Sequence, residues 1–187
     1  MLYEAPSPES PMDYTTKMLF IGAKFDDNTY ASLSKDIIDE NYVKPYPQFT
    51  VDKLYSTNQE PPYLNRENFI TALNHGYGII NHDDHAGTYS MGAGCKTGGG
   101  YIYRTDVDKL LNTTKPSVIY SLSCDAAAFD YDCIAEHFIM APGGAVSFVG
   151  NSRYGWYVPS LLPGPATGPS TDYDNQFFKA LLPDNFS

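Results

Sequence analysis

Short apolar and β-branched runs recur along the chain, each closed by a polar or glycine-rich break and most followed by apolar positions at helical spacing. Residues 17–23 (KMLFIGA) read as a first strand, ended by the turn Asp26-Asp27-Asn28 ahead of a helix over about residues 31–42. Residues 51–55 read as a second strand, after which Asn65 caps a helix through Phe69, Ile70 and Leu73 toward Gly76. A third strand spans residues 78–81. The glycine-rich, polar segment 82–103 is too long for a bare connection, so it is expected to cover a site. A short helix over 106–111 leads into a buried strand, 118–123, with Cys124 where that strand should stop. Asp130 or Asp132 then caps a helix carrying Ile134, Phe138 and Ile139, which Pro142 and Gly143-Gly144 end before a further strand at 145–150. After Trp156 a Pro- and Gly-rich stretch precedes a last helix over about 172–182, and residues 1–16 form a lead-in arm to the unit 17–187.

Strands alternating with helices at this spacing predict an α/β fold, a mostly parallel sheet with helices on both faces and right-handed crossovers. Ligands of such sheets bind beyond the carboxyl ends of the strands. If the third strand and the Cys124 strand are neighbours, the His85 loop and Cys124 face one cleft.

Composition narrows the possibilities. The chain has 187 residues, 42% hydrophobic and 14% aromatic, which suits one unit with a sizeable core. A formal net charge of -10 repels phosphate backbones and anionic lipid surfaces, so nucleic acid is not an expected partner. Three cysteines leave at least one thiol free and form no paired zinc-ligand pattern. No apolar run approaches the length of a membrane span, and the opening residues lack the pattern of a signal peptide.

A cysteine attacks a carbonyl as its thiolate, with an imidazole to take the thiol proton or supply one to the leaving amine. Cys124 and His85 are the expected pair, and the backbone N–H groups of Cys124 and Ala86 the expected oxyanion donors. Against this stands a plain alternative, since free cysteine is often an inert buried hydrophobe. Cys133 reads as core, and Cys95 as an incidental exposed thiol. His82-Asp83-Asp84-His85 admits a second reading as a transition-metal site, although successive side chains of an extended backbone point to opposite sides. No metal site is assigned. Asp26, Asp27, Asp130 and Asp132 admit structural calcium or serve as turn and cap residues. His75 and His137, on predicted helices, read as surface or packed residues.

The segments GYGIINHDDHAG, SLSCDAAAFD and AEHFIMAPGGAVSFVGNSRYGW resemble the gingipain-type cysteine peptidases, the C25 family, which has the caspase-like fold. The resemblance implies that His85 is the catalytic histidine and Cys124 the nucleophile of a peptidase acting through a thioester, with no cofactor required. It implies an acid orienting the histidine, for which Asp26 and Asp27 are the nearest matches. It also implies that Trp156 lies near the pocket for the side chain before the scissile bond. Ala86 stands where many members carry glycine. The family's catalytic unit has an additional amino-terminal subdomain, so the expectation is a part of a longer, secreted or surface protein acting on polypeptides. A catalytically silent binding module of the same fold, and a metal-dependent hydrolase using His82 and His85, are the competing readings. Cleavage preference stays open, because the acidic surface favours basic substrates whereas Arg153 near the pocket favours acidic ones.

Overall fold

The computed structural model describes residues 12–182. Five strands, β1 (Lys17–Gly22), β2 (Thr50–Tyr55), β3 (Ile79–Asp83), β4 (Ser117–Ser121) and β5 (Ala145–Gly150), form one sheet in the order β2-β1-β3-β4-β5, with every pair parallel. β3 and β4 are direct neighbours, in the register Asn81↔Tyr120 and His82↔Ser121. The helices are α1 (Ala31–Ile38), continued by a π turn over Asp39–Val43, then α2 (Arg66–His75), α3 (Arg104–Val107), α4 (Ile134–Met140) and α5 (Pro169–Leu181). Among the described residues no helix is long and apolar enough to cross a membrane.

The inner strand β1 is apolar on both faces because both faces are covered, whereas the edge strands β2 and β5 are partly exposed. Leu19, Ile21, Ile80 and Ile119 pack against Phe69 and Leu73 of α2, Val107 of α3, and Ile134 and Phe138 of α4. On the opposite face Met18, Phe20 and Ile79 pack with Ile38 of α1 and Phe178 of α5. The period of two along β1 and β3 assigns successive residues to opposite cores.

Several boundaries differ from those expected. Residues 1–11 of the lead-in arm lie outside the described residues, while Met12–Thr16 is a 3-10 helix whose Tyr14 is buried. The segment after β3 is not a bare loop: Ala86–Gly87, Ser90–Gly92 and Tyr101–Tyr103 form a small antiparallel sheet. α3 begins two residues before the expected start, because the Asp106 carboxylate accepts the Tyr103 N–H at 2.9 Å and so acts from inside the first turn. α4 is not capped by Asp130 or Asp132. Its N-cap is Cys133, whose N–H donates to Glu136, while Asp130 pairs with Arg153 and Asp132 with Arg104 and His137.

The apolar face toward α1 and α5 is interrupted at the carboxyl end of β3 by a buried polar group. The Lys35 ammonium, 0% exposed, lies 2.6 Å from Asp174 Oδ2, 2.8 Å from Asn81 Oδ1 and 3.9 Å from Asp83 Oδ2. The Asn81 amide donates to Asp174 at 2.9 Å. One cation thus faces two carboxylates, and burial raises the pKa of both acids, Asp83 to about 6. Removing the cation leaves two buried carboxylates without a counter-charge. Lys35→Met is expected to lower stability by about 3–5 kcal/mol, measured as a reduced midpoint in urea; an unchanged midpoint would show that the cation is dispensable.

Candidate active site

The carboxyl ends of β1, β3 and β4 open into one cavity of about 150 Å³. Phe25 reaches it from beyond β1, Asp83, Asp84 and His85 from the end of β3, and Leu122, Ser123 and Cys124 from beyond β4. Gly155, Trp156 and Tyr157 from beyond β5, and Ser170 and Thr171 from α5, complete the wall. The sheet order changes direction between β1 and β3, and ligands of open parallel sheets bind at such a crevice. His85, Cys124 and Trp156 therefore line one cavity.

β4 ends at Ser121, so Cys124 sits three residues past the strand rather than on it. The segment between is held on both sides. The Leu122 N–H donates to the His82 carbonyl at 3.0 Å, and the Asn151 amide donates to the carbonyls of Leu122, at 2.7 Å, and Ser123, at 3.2 Å. Residue 155 passes so close that a Cβ there would lie 2.2 Å from the Leu122 oxygen; only glycine permits the approach. That approach brings the Gly155 carbonyl within 3.7 Å of the Cys124 thiol, which donates to it. Asp125 follows at φ 55°, a conformation rare outside glycine, and its N–H is fixed by the Arg153 carbonyl at 2.9 Å. The Cys124 N–H has no hydrogen-bond partner among the described residues.

His85 stands at the start of the small antiparallel sheet. Its ring lies 5.3 Å from that of Phe25, which stacks on Tyr157 at 4.6 Å. Its Nε2 is buried without a hydrogen bond, and burial lowers the imidazole pKa, opposed by the Asp84 charge and assisted by Lys96. The ring is thus neutral near pH 7. Gly92 N–H donates to the His85 carbonyl, which makes Ala86 and Met91 a non-hydrogen-bonded pair and turns the Ala86 N–H away from the ladder.

The other expected residues lie as follows. Asp26 accepts the Asn28 N–H at 2.8 Å and Asp27 pairs with Lys24 at 3.0 Å, so neither carboxylate bonds to the His85 ring; a tight turn satisfies both locally. His82 is not beside His85. Period two turns it to the face opposite Asn81 and Asp83, where it stacks on Phe69, Nε2 donates to the Gly92 carbonyl at 2.9 Å, and Nδ1 accepts the Ser123 hydroxyl at 2.9 Å. Both its nitrogens are engaged, which removes it from the metal reading. Among the described residues no group of three His, Cys, Asp or Glu side chains is placed to hold a metal ion. Arg153 forms a two-bonded pair with Asp130, at 2.9 and 3.0 Å. His137 lies between Asp108 and Asp132, His75 is exposed, and Cys133 is buried in the core. Cys95 is not an incidental exposed thiol, since it is half-buried with its sulfur 3.4 Å from Asp84. Phe25, Tyr157 and Gly155 were missed, and Asp83 and Asp84 were noticed only as possible ligands. The adjacent pair of acids before a histidine was the available signal.

The family model described as Peptidase family C25 matches residues 1–187. The chain belongs to peptidase family C25. The architecture of this C25 chain is the caspase-like fold. It is similar to the crystal structure of the Arg specific cysteine proteinase gingipain R (RgpB), with a TM-score of 0.69 and 19% identity over 94% of this chain and 39% of that one. It is similar also to a structure titled only as a protease, with a TM-score of 0.64 and 20% identity over 83% of this chain and 32% of that one. The complex of Porphyromonas gingivalis RgpB pro- and mature domains matches with a TM-score of 0.59 and 20% identity, over 76% and 34% of the two chains. The C25 chain thus spans well under half the length of these structures. No curated protein matches it significantly.

Asp83 gives the cavity a testable electrostatic signature. Its folded pKa of about 6 lies above the ordinary carboxylate value, chiefly through burial, so its proton favours the folded state, and that contribution is lost as pH rises through about 6. Asp83→Asn is expected to gain stability relative to wild type between pH 5 and pH 7.5, read by thermal melts at both; a pH-independent difference would refute the assignment.

Proposed function

We propose that this chain is the catalytic part of a cysteine endopeptidase, with Cys124 as nucleophile and His85 as acid and base. The observation that carries the reading is the single cavity into which β3 and β4 deliver an unbonded imidazole nitrogen and a half-buried thiol. The neutral imidazole takes the Cys124 proton as sulfur attacks the peptide carbonyl. The imidazolium then protonates the departing amine, leaving a thioester, and water adds to the acyl carbon, returning a proton to sulfur. The free Cys124 N–H and the outward Ala86 N–H are the proposed donors to the oxyanion. Activity of a longer parent protein acting outside the cell, with a further domain beside this one, belongs to the same proposal and is supported by the greater length of the matched chains.

The cavity wall favours a basic side chain before the scissile bond. Asp83 Oδ2 is buried without a hydrogen bond and shares the single Lys35 cation with Asp174, which leaves one carboxylate charge in excess, whereas Arg153, which would favour an acidic one, is paired with Asp130 outside the cavity wall. Gingipain R, to which the fold is similar, is an Arg specific proteinase. Trp156, 65% exposed, supplies an apolar rim for such a side chain.

Limiting iodoacetamide across pH, with the modified residue located by mass spectrometry, tests the pair. Selective labelling of Cys124 that weakens in His85→Ala is the expected result, and equal labelling of all three thiols would leave only a binding module of this fold. With peptides differing at one position, Arg should exceed Glu by on the order of 10²-fold in kcat/KM, and Asp83→Asn should narrow that ratio.

A further inference from the structure

The glycine-rich segment after His85, expected to cover the site, contributes no residue to the cavity wall and instead closes around the carboxylate of Asp84. That side chain is 2% exposed. Its Oδ1 accepts the His85 N–H at 2.6 Å and lies 3.4 Å from the Cys95 thiol, while Oδ2 accepts the N–H groups of Gly94 at 2.7 Å and Cys95 at 3.4 Å. Gly94 is left-handed, at φ 77°, and the two successive N–H groups after that bend form a concavity of the kind that binds anions. Here the anion is supplied by the chain itself. A Cβ on residue 92 would lie 2.4 Å from Asp84 Cγ, so Gly92 leaves the space the carboxylate occupies.

We propose that Asp84, held in this nest of backbone N–H groups, is the positioning carboxylate for His85, acting through the backbone and through space and not through a bond to the ring. The bond to the His85 N–H, with the Gly92 N–H on the His85 carbonyl at 2.7 Å, fixes both ends of that residue and so the direction of its side chain. Its charge also opposes the effect of burial on the imidazole. The groups that face His85 are Asp84 on its own segment, Lys96 on the nest loop, Asp83 and Cys124 on the cavity wall, and the uncharged ring of Phe25. Among them Asp84 is the acid whose field raises the His85 pKa. The role that a ring-bonded acid would fill, and that Asp26 and Asp27 do not, falls to the residue next in sequence. This rests on His85 serving Cys124 as proposed above.

The test uses the whole chain and reads His85 directly. In Asp84→Asn the His85 ring signals, followed by NMR across pH, are expected to titrate at lower pH than in wild type, with kcat down about tenfold and KM little changed. An unmoved His85 titration in folded protein overturns the proposal. Should that variant not fold, wild type labelled at its carboxyl carbons decides: an Asp84 signal with an inflection at the His85 titration supports the proposal, and a flat one overturns it. Neither readout needs turnover, so an inactive wild type would defeat the peptidase reading while leaving the influence of Asp84 measurable.

Discussion

The carboxyl end of β3 must bury polar side chains on both faces of a parallel sheet, and the structure depends on how each finds a partner. Four consecutive residues, Asn81 to Asp84, are all under 5% exposed. An unpartnered polar group in such a place costs about 1–3 kcal/mol, so the alternation of a strand makes two separate demands. Asn81 and Asp83 turn to the face of α1 and α5, where Lys35 and Asp174 meet them. His82 turns to the face of α2, where the hydroxyls of Ser121, at the end of β4, and Ser123, just past it, and the Gly92 carbonyl take its ring nitrogens. Asp84 leaves the strand and is met by backbone.

These partners are also what builds the cavity. The His82 ring bonds to Ser121, at 3.1 Å, and to Ser123, tying the end of β3 to the loop that carries Cys124. The Asp84 nest ties the same strand end to the segment that follows His85. The imidazole and the thiol therefore take their positions from one rigid strand terminus, without a bond between them. Precision of this kind comes from hydrogen bonds behind the two groups, which hold their backbones while leaving Nε2 unbonded and the thiol on one long bond to the Gly155 carbonyl.

Much of the fold was legible from residue pattern. Continuous apolar runs located all five strands of the sheet, and β5 was placed at its observed bounds, because its run AVSFVG is rich in β-branched and aromatic residues and is set off by Gly143-Gly144. Asn65 was legible as a cap, since its side chain acts on a donor three residues away. Asp130 and Asp132 were not, because their choice lay between a local N–H and the charged groups Arg153, Arg104 and His137, which come from distant positions. The small sheet after β3 escaped for a related reason. Its strands are two or three residues long and rich in glycine, so they carry no periodicity.

By itself, the sequence determined the α/β alternation and the candidacy of Cys124 and His85, since strand-forming runs and the polar residues that end them are local properties. Which acid lies against the His85 backbone was decided by the tertiary structure. Asp26, Asp27, Asp83 and Asp84 are chemically alike and lie at or just past strand ends, and their surroundings distinguish them: a local turn takes Asp26 and Asp27, Lys35 faces Asp83, and the Gly92 to Cys95 segment closes on Asp84. The fates of His82 and His85 likewise rest on their places, one inside β3 and one two residues past its end, and on what is packed there. A side chain's role follows from the field and the donors around it, and those are set by residues far along the chain.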